Sequence, residues 1–214
     1  GWKESVVNRL TGGLTGLAKQ RKVQVVSGVG KFLDPHHVEV TAEDGKKTVV
    51  KFDNAVIAAG SEPVHLPFIP EDPRVIDSTG ALELESIPEH MLVIGGGIIG
   101  LEMATVYQAL GSDVTVVEFA EQLIPAADSD LVKVYQRFNK DRFNIHLNTR
   151  VTAVDAQPEG LHATVEDAQG EARQETYDAI LVAVGRRPNG NRVGAEKAGI
   201  HVDERGFIEV DNQL

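Results

Sequence analysis

A glycine-rich run and one acidic residue carry the clearest chemical signal in this sequence. The run Gly95–Gly100 reads G-G-G-I-I-G, and Glu118 follows at the end of the next apolar segment. Gly95 permits a tight turn, Gly97 lets a pyrophosphate approach the backbone, and Gly100 lets a helix pack closely on a strand. The run therefore predicts a dinucleotide-binding turn rather than a tight turn that holds nothing.

The elements around this run are those that such a turn needs. Met91–Ile94 is predicted to be a buried strand, Ile98–Leu110 a helix that ends at Gly111, and Asp113–Val117 a second strand. The unpaired amides and the positive dipole end of that helix would stabilise bound phosphates without a lysine. We therefore expect a βαβ unit with its ligand at the helix N-terminus.

Glu118 predicts which dinucleotide is bound. A carboxylate here accepts hydrogen bonds from the adenosine ribose hydroxyls. It repels a 2′-phosphate by on the order of 4 kcal/mol per charge pair at ~4 Å and an effective dielectric constant of ~20. The following residues, Phe119, Ala120 and Glu121, supply no arginine to offset this repulsion. NAD is favoured over NADP, and the alternative for Glu118 is a solvated acid at a strand end.

The residues before this unit predict a smaller, separate region. Apolar spacing over residues 3–18 indicates a helix, and three short strands follow in an antiparallel meander. A continuous apolar run, Ala55–Ala59, predicts a buried strand that ends near a ligand at Gly60 and Ser61. Prolines at positions 63, 67, 70 and 73 mark a linker and a domain boundary. The three meander strands are expected at Val23–Val26, Val38–Val40 and Thr48–Phe52.

The residues after Glu118 continue the alternation of strands and helices. A helix capped by Asp128 or Ser129 precedes a strand through Ile145 and Leu147, which together indicate a parallel doubly wound sheet. Three polar-alternating strands then interrupt the pattern before a last buried strand at Ala179–Val184. The fold class is therefore α/β, Rossmann-like, with a three-stranded antiparallel excursion. The predicted apolar face of the helix comprises Leu131, Val134, Tyr135 and Phe138, and the excursion comprises Val151–Ala156, Leu161–Val165 and Ala172–Tyr177.

Composition excludes several classes of function. The formal net charge is -11 and there is no long basic run, so nucleic acid is not an expected partner. The apolar stretch Met91–Leu101 is about half of the ~20 residues that a membrane span requires. Cysteine is absent, which excludes disulfides and thiol nucleophiles within these residues. The adjacent His36 and His37, and the His162 and Glu166 pair, are interpreted as structural, so neither a metal site nor a catalytic residue is expected.

Four motifs together resemble the dihydrolipoamide dehydrogenase family of flavoprotein pyridine nucleotide-disulfide oxidoreductases, and the bacterial members in particular. The resemblance covers nearly the whole chain. The motifs are Leu10–Leu14, Ala58–Ser61, Ile94–Glu102 and Val182–Asn189.

This resemblance implies two sets of cofactor-binding residues. Those implied to contact NAD are Gly95, Gly96, Gly97, Ile98, Ile99, Gly100, Glu102, Glu118, Val151, Ala183, Val184, Gly185 and Arg186. Of these, Glu102 is expected near the nicotinamide. Those implied to contact FAD are Gly30, Ala59, Gly60 and Ser61.

The resemblance also implies a domain order and an activity. Residues 1–62 would end a discontinuous FAD-binding domain, 63–187 would bind NAD, and 188–214 would return to the FAD and central region. The parent would be a cytoplasmic homodimer that oxidises dihydrolipoamide on lipoyl domains of 2-oxo acid dehydrogenase complexes, passing hydride through FAD to NAD.

The family's other motifs are not found in these residues. They are the N-terminal FAD glycine motif, the redox cysteine pair, the flavin-binding Gly-Asp and the His-Glu base. The chain also starts without methionine inside a helical pattern and stops without a turn, so we expect a piece of a longer polypeptide. Such a piece should bind NAD weakly and catalyse nothing alone. The alternatives are another flavoprotein disulfide reductase, an NADH-dependent flavoenzyme, or a stand-alone NAD-sensing module.

Overall fold

The structure, a computed structural model, describes residues 1–213 and divides them into two compact units. One unit comprises Gly1–Gly60 together with the segment that begins at Pro188, and the other is Ser61–Arg187. Leu214, the last residue of the predicted return segment, lies outside the described residues. No helix in the part of the chain that the structure describes is long and apolar enough to cross a membrane.

The first unit joins a long helix to a small antiparallel sheet. Helix α1 (Trp2–Gln20) contains the predicted helix, and none of its side chains is buried. Strands β1 (Val29–Asp34), β2 (His37–Thr41) and β3 (Lys47–Lys51) pair in sequence order. The return segment is tied to this sheet, because the Phe32 amide donates to the Val193 carbonyl at 2.8 Å.

The predicted first strand of the meander is wrong. Val23–Val26 has no strand structure, and β1 begins at Val29 instead. The Val23 amide donates to the Ala18 carbonyl at 2.9 Å and so belongs to the end of α1. Since Val23 and Val25 are also exposed, the valine-rich composition alone does not make this segment a strand.

The predicted buried strand at Ala55–Ala59 is also wrong. The segment is not assigned to a strand, and Val56 is 94% exposed. No described strand pairs with this segment, so it lacks the inter-strand hydrogen bonds that would make it a strand. Its end is nevertheless held in place, because Asn189 Nδ2 donates to the Ala59 carbonyl at 3.0 Å and the Asn189 amide donates to the Gly60 carbonyl at 3.1 Å.

The second unit is built around a five-stranded parallel sheet, which confirms the predicted fold class. The elements of this unit are β4 (Ser61–Pro63), β5 (Val75–Ile76), α2 (Ser78–Glu83), β6 (His90–Ile94), α3 (Ile98–Leu110), β7 (Asp113–Val117), α4 (Ser129–Asn139), β8 (Asn144–His146), β9 (Arg150–Gln157), β10 (Gly160–Glu166), β11 (Ala172–Tyr177), β12 (Ala179–Val182) and β13 (Arg186–Pro188). The strand order of the parallel sheet is β5-β12-β6-β7-β8, and the three helices alternate with its strands. A short pair, β4 with β13, lies outside this sheet.

Both faces of the parallel sheet are buried, which explains the continuous apolar run of its central strand. On β6, Met91 and Val93 pack in a cluster with residues of α3, whereas Leu92 and Ile94 pack in a second cluster with residues of β10. All four side chains are 6% exposed or less. The predicted excursion forms this second layer as the antiparallel sheet β11-β10-β9. Strand β6 of the βαβ unit therefore lies between two hydrophobic clusters.

Helix α4 occurs where it was predicted, with Asp128 at its N-cap, but most of its predicted apolar face is wrong. Leu131, Val134 and Phe138 are 62–81% exposed. Tyr135, the fourth predicted residue, is partly buried and packs against the same core cluster as Val132, which is 3% exposed. The local spacing of apolar residues therefore identifies the helix and does not identify the side that packs.

Candidate dinucleotide-binding cleft

A cleft of about 730 Å³ lies at the carboxyl ends of the parallel strands of the second unit. In open parallel sheets, ligands bind at this edge, where the direction of chain connection reverses. Here β6 is the strand at which the order reverses, because β12 lies on one side of it and β7 on the other. The residues that line the cleft are Leu66, Phe68, Ile94, Gly95, Gly97, Ile98, Ile99, Val117, Glu118, Phe119, Pro125, Thr149, Arg150, Val151, Ala183, Val184, Gly185 and Arg186.

Two glycines of the turn are required by the fold itself. Gly95 has a φ of +109°, and a Cβ there would lie 2.5 Å from the Ala183 carbonyl oxygen. A Cβ on Gly100 would lie 2.1 Å from the Gly95 carbonyl oxygen. Larger side chains at either position would push β6 away from its neighbours. These two glycines are therefore explained by packing.

Gly97 is different, since the protein does not require a glycine there. Its φ of -77° is ordinary for any residue, and a Cβ would meet no atom within 4 Å. Gly97 lines the cleft and is the N-cap of α3, and no side chain caps this helix end. The space over Gly97 and the amides of the first turn of α3 together suit an anionic group of a ligand.

Glu118 lies at the end of β7 with its carboxylate fixed by backbone amides. Its Oε2 accepts a hydrogen bond from the Gly96 amide at 2.7 Å, and its Oε1 accepts one from the Ala120 amide at 2.8 Å. Each carboxylate oxygen has two lone pairs, so each can accept a further hydrogen bond from a ligand. The side chain is therefore orientated before any ligand arrives.

Arg186 is held on the other side of the glycine turn, beyond β12. Its Nε donates to Ser61 Oγ at 2.8 Å, its Nη1 donates to Ser78 Oγ at 3.0 Å, and its Nη2 donates to the Ser61 carbonyl. These contacts bind the start of β13 to β4 and to the start of α2. Ser61, which the resemblance assigned to FAD, here orientates a residue of the cleft.

The structure brings together ten of the thirteen residues expected to contact NAD. They are Gly95, Gly97, Ile98, Ile99, Glu118, Val151, Ala183, Val184, Gly185 and Arg186. Gly96 and Gly100 are buried beneath the cleft, and Glu102 is exposed on α3 outside its lining. Gly30, Ala59 and Gly60, expected to contact FAD, belong to the other unit, with Gly30 on β1.

Sequence patterns did not indicate several of the lining residues. Leu66 and Phe68 lie in the proline-rich linker, where no periodic pattern exists. Thr149 and Arg150 reach the cleft because the Thr149 amide donates to the Glu118 carbonyl at 3.0 Å. Their position next to Val151, an expected site residue, is the one local signal that could have found them.

Known proteins with similar sequences and structures point to one family. Residues 3–214 match the pyridine nucleotide-disulphide oxidoreductase family. The chain is 61% identical to a dihydrolipoyl dehydrogenase of Vibrio cholerae and 56% identical to one of Haemophilus influenzae, covering 100% and 99% of this chain. It spans 45% and 44% of the length of these two relatives.

Solved structures agree with the sequence matches. The HOCl-induced flavoprotein disulfide reductase RclA from Escherichia coli aligns over 99% of this chain and 47% of its own, with a TM-score of 0.85 and 31% identity. LpdA from Mycobacterium tuberculosis aligns over 97% of this chain and 46% of its own, with a TM-score of 0.84 and 26% identity. The chain belongs to the pyridine nucleotide-disulphide oxidoreductase family.

Proposed function

We propose that the second unit binds NAD in the cleft between α3 and the carboxyl ends of β6, β7 and β12. The observation that carries this proposal is the pairing of Gly97, which faces open space, with a Glu118 carboxylate fixed at the adjacent strand end. The N-terminus of α3 would receive the pyrophosphate. Glu118 would accept hydrogen bonds from the hydroxyls of the adenosine ribose.

The rest of the lining would hold the two ends of the dinucleotide. Val151 follows Thr149, whose amide donates to the Glu118 carbonyl, and would contact the adenine side, whereas Ala183–Arg186 would contact the nicotinamide side. The cleft wall is mainly apolar, which suits the flat faces of both bases and excludes water from them. Glu102, exposed on α3, would lie near the nicotinamide.

For the whole protein we propose the activity of a dihydrolipoyl dehydrogenase, the name carried by relatives that are 56–61% identical. Such an enzyme oxidises dihydrolipoamide to lipoamide through a redox disulfide and FAD. NAD, when bound, accepts the hydride. This chain would hold the nicotinamide in place for that transfer.

The first unit would belong to the FAD-binding domain, with residues 1–62 and 188–214 on either side of the NAD-binding segment 63–187. Gly30, Ala59, Gly60 and Ser61 would contact FAD. The proposed partners of the whole protein are lipoyl domains of 2-oxo acid dehydrogenase complexes and a second copy in a homodimer, in the cytoplasm. The 214 residues contain no cysteine, so dihydrolipoamide, FAD and NAD mixed with this chain should yield no NADH.

A glycine substitution tests the proposed site. Gly97→Ala should weaken NADH binding, followed by nucleotide fluorescence, by about tenfold, because the methyl group would occupy the space left for the pyrophosphate. Gly13→Ala is the matched control, since a Cβ there also meets no atom within 4 Å but lies on α1. Equal NADH affinity of both variants and the original chain, with unchanged circular dichroism, would overturn the proposal.

A further inference from the structure

An ion pair that borders the cleft has no role assigned to it in the function proposed above. Arg150 and Glu166 face each other directly across strands β9 and β10. Arg150 Nη2 lies 2.5 Å from Glu166 Oε1. The Arg150 side chain is 56% exposed and that of Glu166 is 24% exposed, so the carboxylate is the more fixed partner.

Arg150 is close to the acid that is proposed to bind the ribose. Both residues line the cleft, and the Thr149 amide donates to the Glu118 carbonyl at 3.0 Å, one residue before Arg150. The other cleft-lining arginine, Arg186, lies beyond β12, on the opposite side of β6. Of the two cleft-lining arginines, Arg150 is therefore the one beside Glu118, where a 2′-phosphate on the adenosine ribose would lie.

We propose that Glu166, acting through Arg150, is a second determinant of the preference for NAD over NADP. This inference rests on the proposed binding of NAD in the cleft. Arginine is well suited to a phosphate because its fork of N–H donors matches the phosphate oxygens. Glu166 accepts a hydrogen bond from Nη2 of that fork and offsets its charge, so the attraction of Arg150 for a 2′-phosphate is reduced while Glu118 repels it.

The arrangement explains how a cleft with an arginine at its ribose end can still reject NADP. Glu118 repels the 2′-phosphate directly, whereas Glu166 pairs with Arg150 and so reduces the attraction of that arginine for the phosphate. The Arg150 side chain is 56% exposed, so solvent screens the pair and the pair stabilises the fold only slightly; removal of the Glu166 charge should therefore leave the fold intact. Glu166 is thus a positioning residue, and its effect should appear in cofactor preference rather than in stability.

The test compares NADH and NADPH affinities of the full 214-residue chain, measured by nucleotide fluorescence at low ionic strength. Glu166→Gln keeps the size of the side chain and removes its charge. We expect the ratio of the NADPH Kd to the NADH Kd to fall by about fivefold or more, because Arg150 becomes available and one repulsive charge is lost. Added salt should diminish this gain.

Two further variants show whether Arg150 is the cause. In Glu166→Gln combined with Arg150→Ala, the ratio should return to the original value or above it. Glu159→Gln removes a charge from the turn that joins the same two strands, at an acid whose side chain is 68% exposed, and should change the ratio less than twofold.

The outcomes separate this inference from the proposed function. Measurable NADH binding with a ratio that Glu166→Gln changes less than twofold would overturn the role of Glu166 alone. A gain that persists without Arg150 would also overturn it. Failure of the folded, unsubstituted chain to bind NADH at millimolar concentration would overturn the proposed function, and this inference with it.

Discussion

Glu118 Oε2 accepts a hydrogen bond from the Gly96 amide at 2.7 Å, so the proposed ribose-binding acid also holds the glycine turn. Gly96 is fixed from its other side as well, because its carbonyl accepts from the Ile124 amide at 3.0 Å. A Cβ on Gly96 would lie 2.4 Å from Leu123 Cδ2. The carboxylate, the turn and the loop after β7 therefore form one connected structure.

Substitution of Glu118 should consequently reduce stability as well as ligand preference. Glu118→Ala removes the acceptor of the Gly96 and Ala120 amides, and we expect a loss of about 2 kcal/mol in the free energy of unfolding, the range for hydrogen bonds to a charged group. Urea unfolding of the variant and of the original chain measures this loss. Glu121→Ala, at a nearby exposed position, should change stability by less than about 0.5 kcal/mol. Equal stability of the two variants would contradict the structural role of Glu118.

The parallel sheet should depend on side chains that face its helices. Leu181, on β12, is completely buried, and Leu181→Ala should cost about 2–5 kcal/mol of unfolding free energy because it leaves a cavity. Leu131→Ala on α4 makes the same chemical change at a side chain that is 64% exposed and should cost less than about 0.5 kcal/mol. Thermal or urea unfolding compares them, and a reversed order would refute the assigned packing.

Acid should weaken the second unit through Asp72. Hydrogen bonds from the Arg74 side chain lower the pKa of Asp72 from 3.8 to about 2. A carboxyl with a lowered pKa in the folded state stabilises the fold above its unfolded pKa, and this stabilisation is lost as the pH falls from about 4 towards 2.

Asp72→Asn should therefore be less stable than the original chain at pH 6, with a difference that shrinks towards pH 2. Urea unfolding over this pH range measures the difference. Asp141→Asn is the control, because that side chain is 86% exposed and pairs with Lys140 only at 4.0 Å. A difference for Asp72→Asn that stays constant with pH would show that the Arg74 pairing does not stabilise the fold.

The βαβ unit could be predicted from the sequence because independent local signals agree there. The apolar run before Gly95 has both faces buried, the helix is ended by Gly111 with a φ of +113°, and the next strand reaches Glu118. Each signal acts within a few residues, so no knowledge of distant contacts was needed. The same holds for the antiparallel excursion, whose turns and alternation are local.

The wrong predictions have the opposite cause, since they depended on what packs against each segment. Ala55–Ala59 has the composition of a buried strand, yet a strand forms only beside a partner. In α4, the position of the sheet decides which side of the helix faces the core, and that side carries Val132 and Tyr135. A single-sequence pattern contains neither piece of information.

The candidate site likewise contains residues that local sequence signals predict and residues that only distant contacts bring into place. The spacing of the motif predicts Gly97 and Glu118. Arg150 lines the cleft because the neighbouring Thr149 amide donates to the Glu118 carbonyl, a contact between distant parts of the chain. The bond between Glu118 and Gly96 could not be predicted either, because it depends on how β6 and β7 pair. The glycine motif alone therefore does not predict these long-range contacts of the site.

Titration of the 214-residue chain with NADH and with NADPH measures directly whether Glu118 selects NAD. We expect NADH to bind at least about tenfold more tightly than NADPH, because Glu118 repels the 2′-phosphate. Glu118→Ala should narrow this ratio of affinities even though it weakens the turn. Tighter binding of NADPH than of NADH by the unsubstituted chain would show that Glu118 does not select NAD.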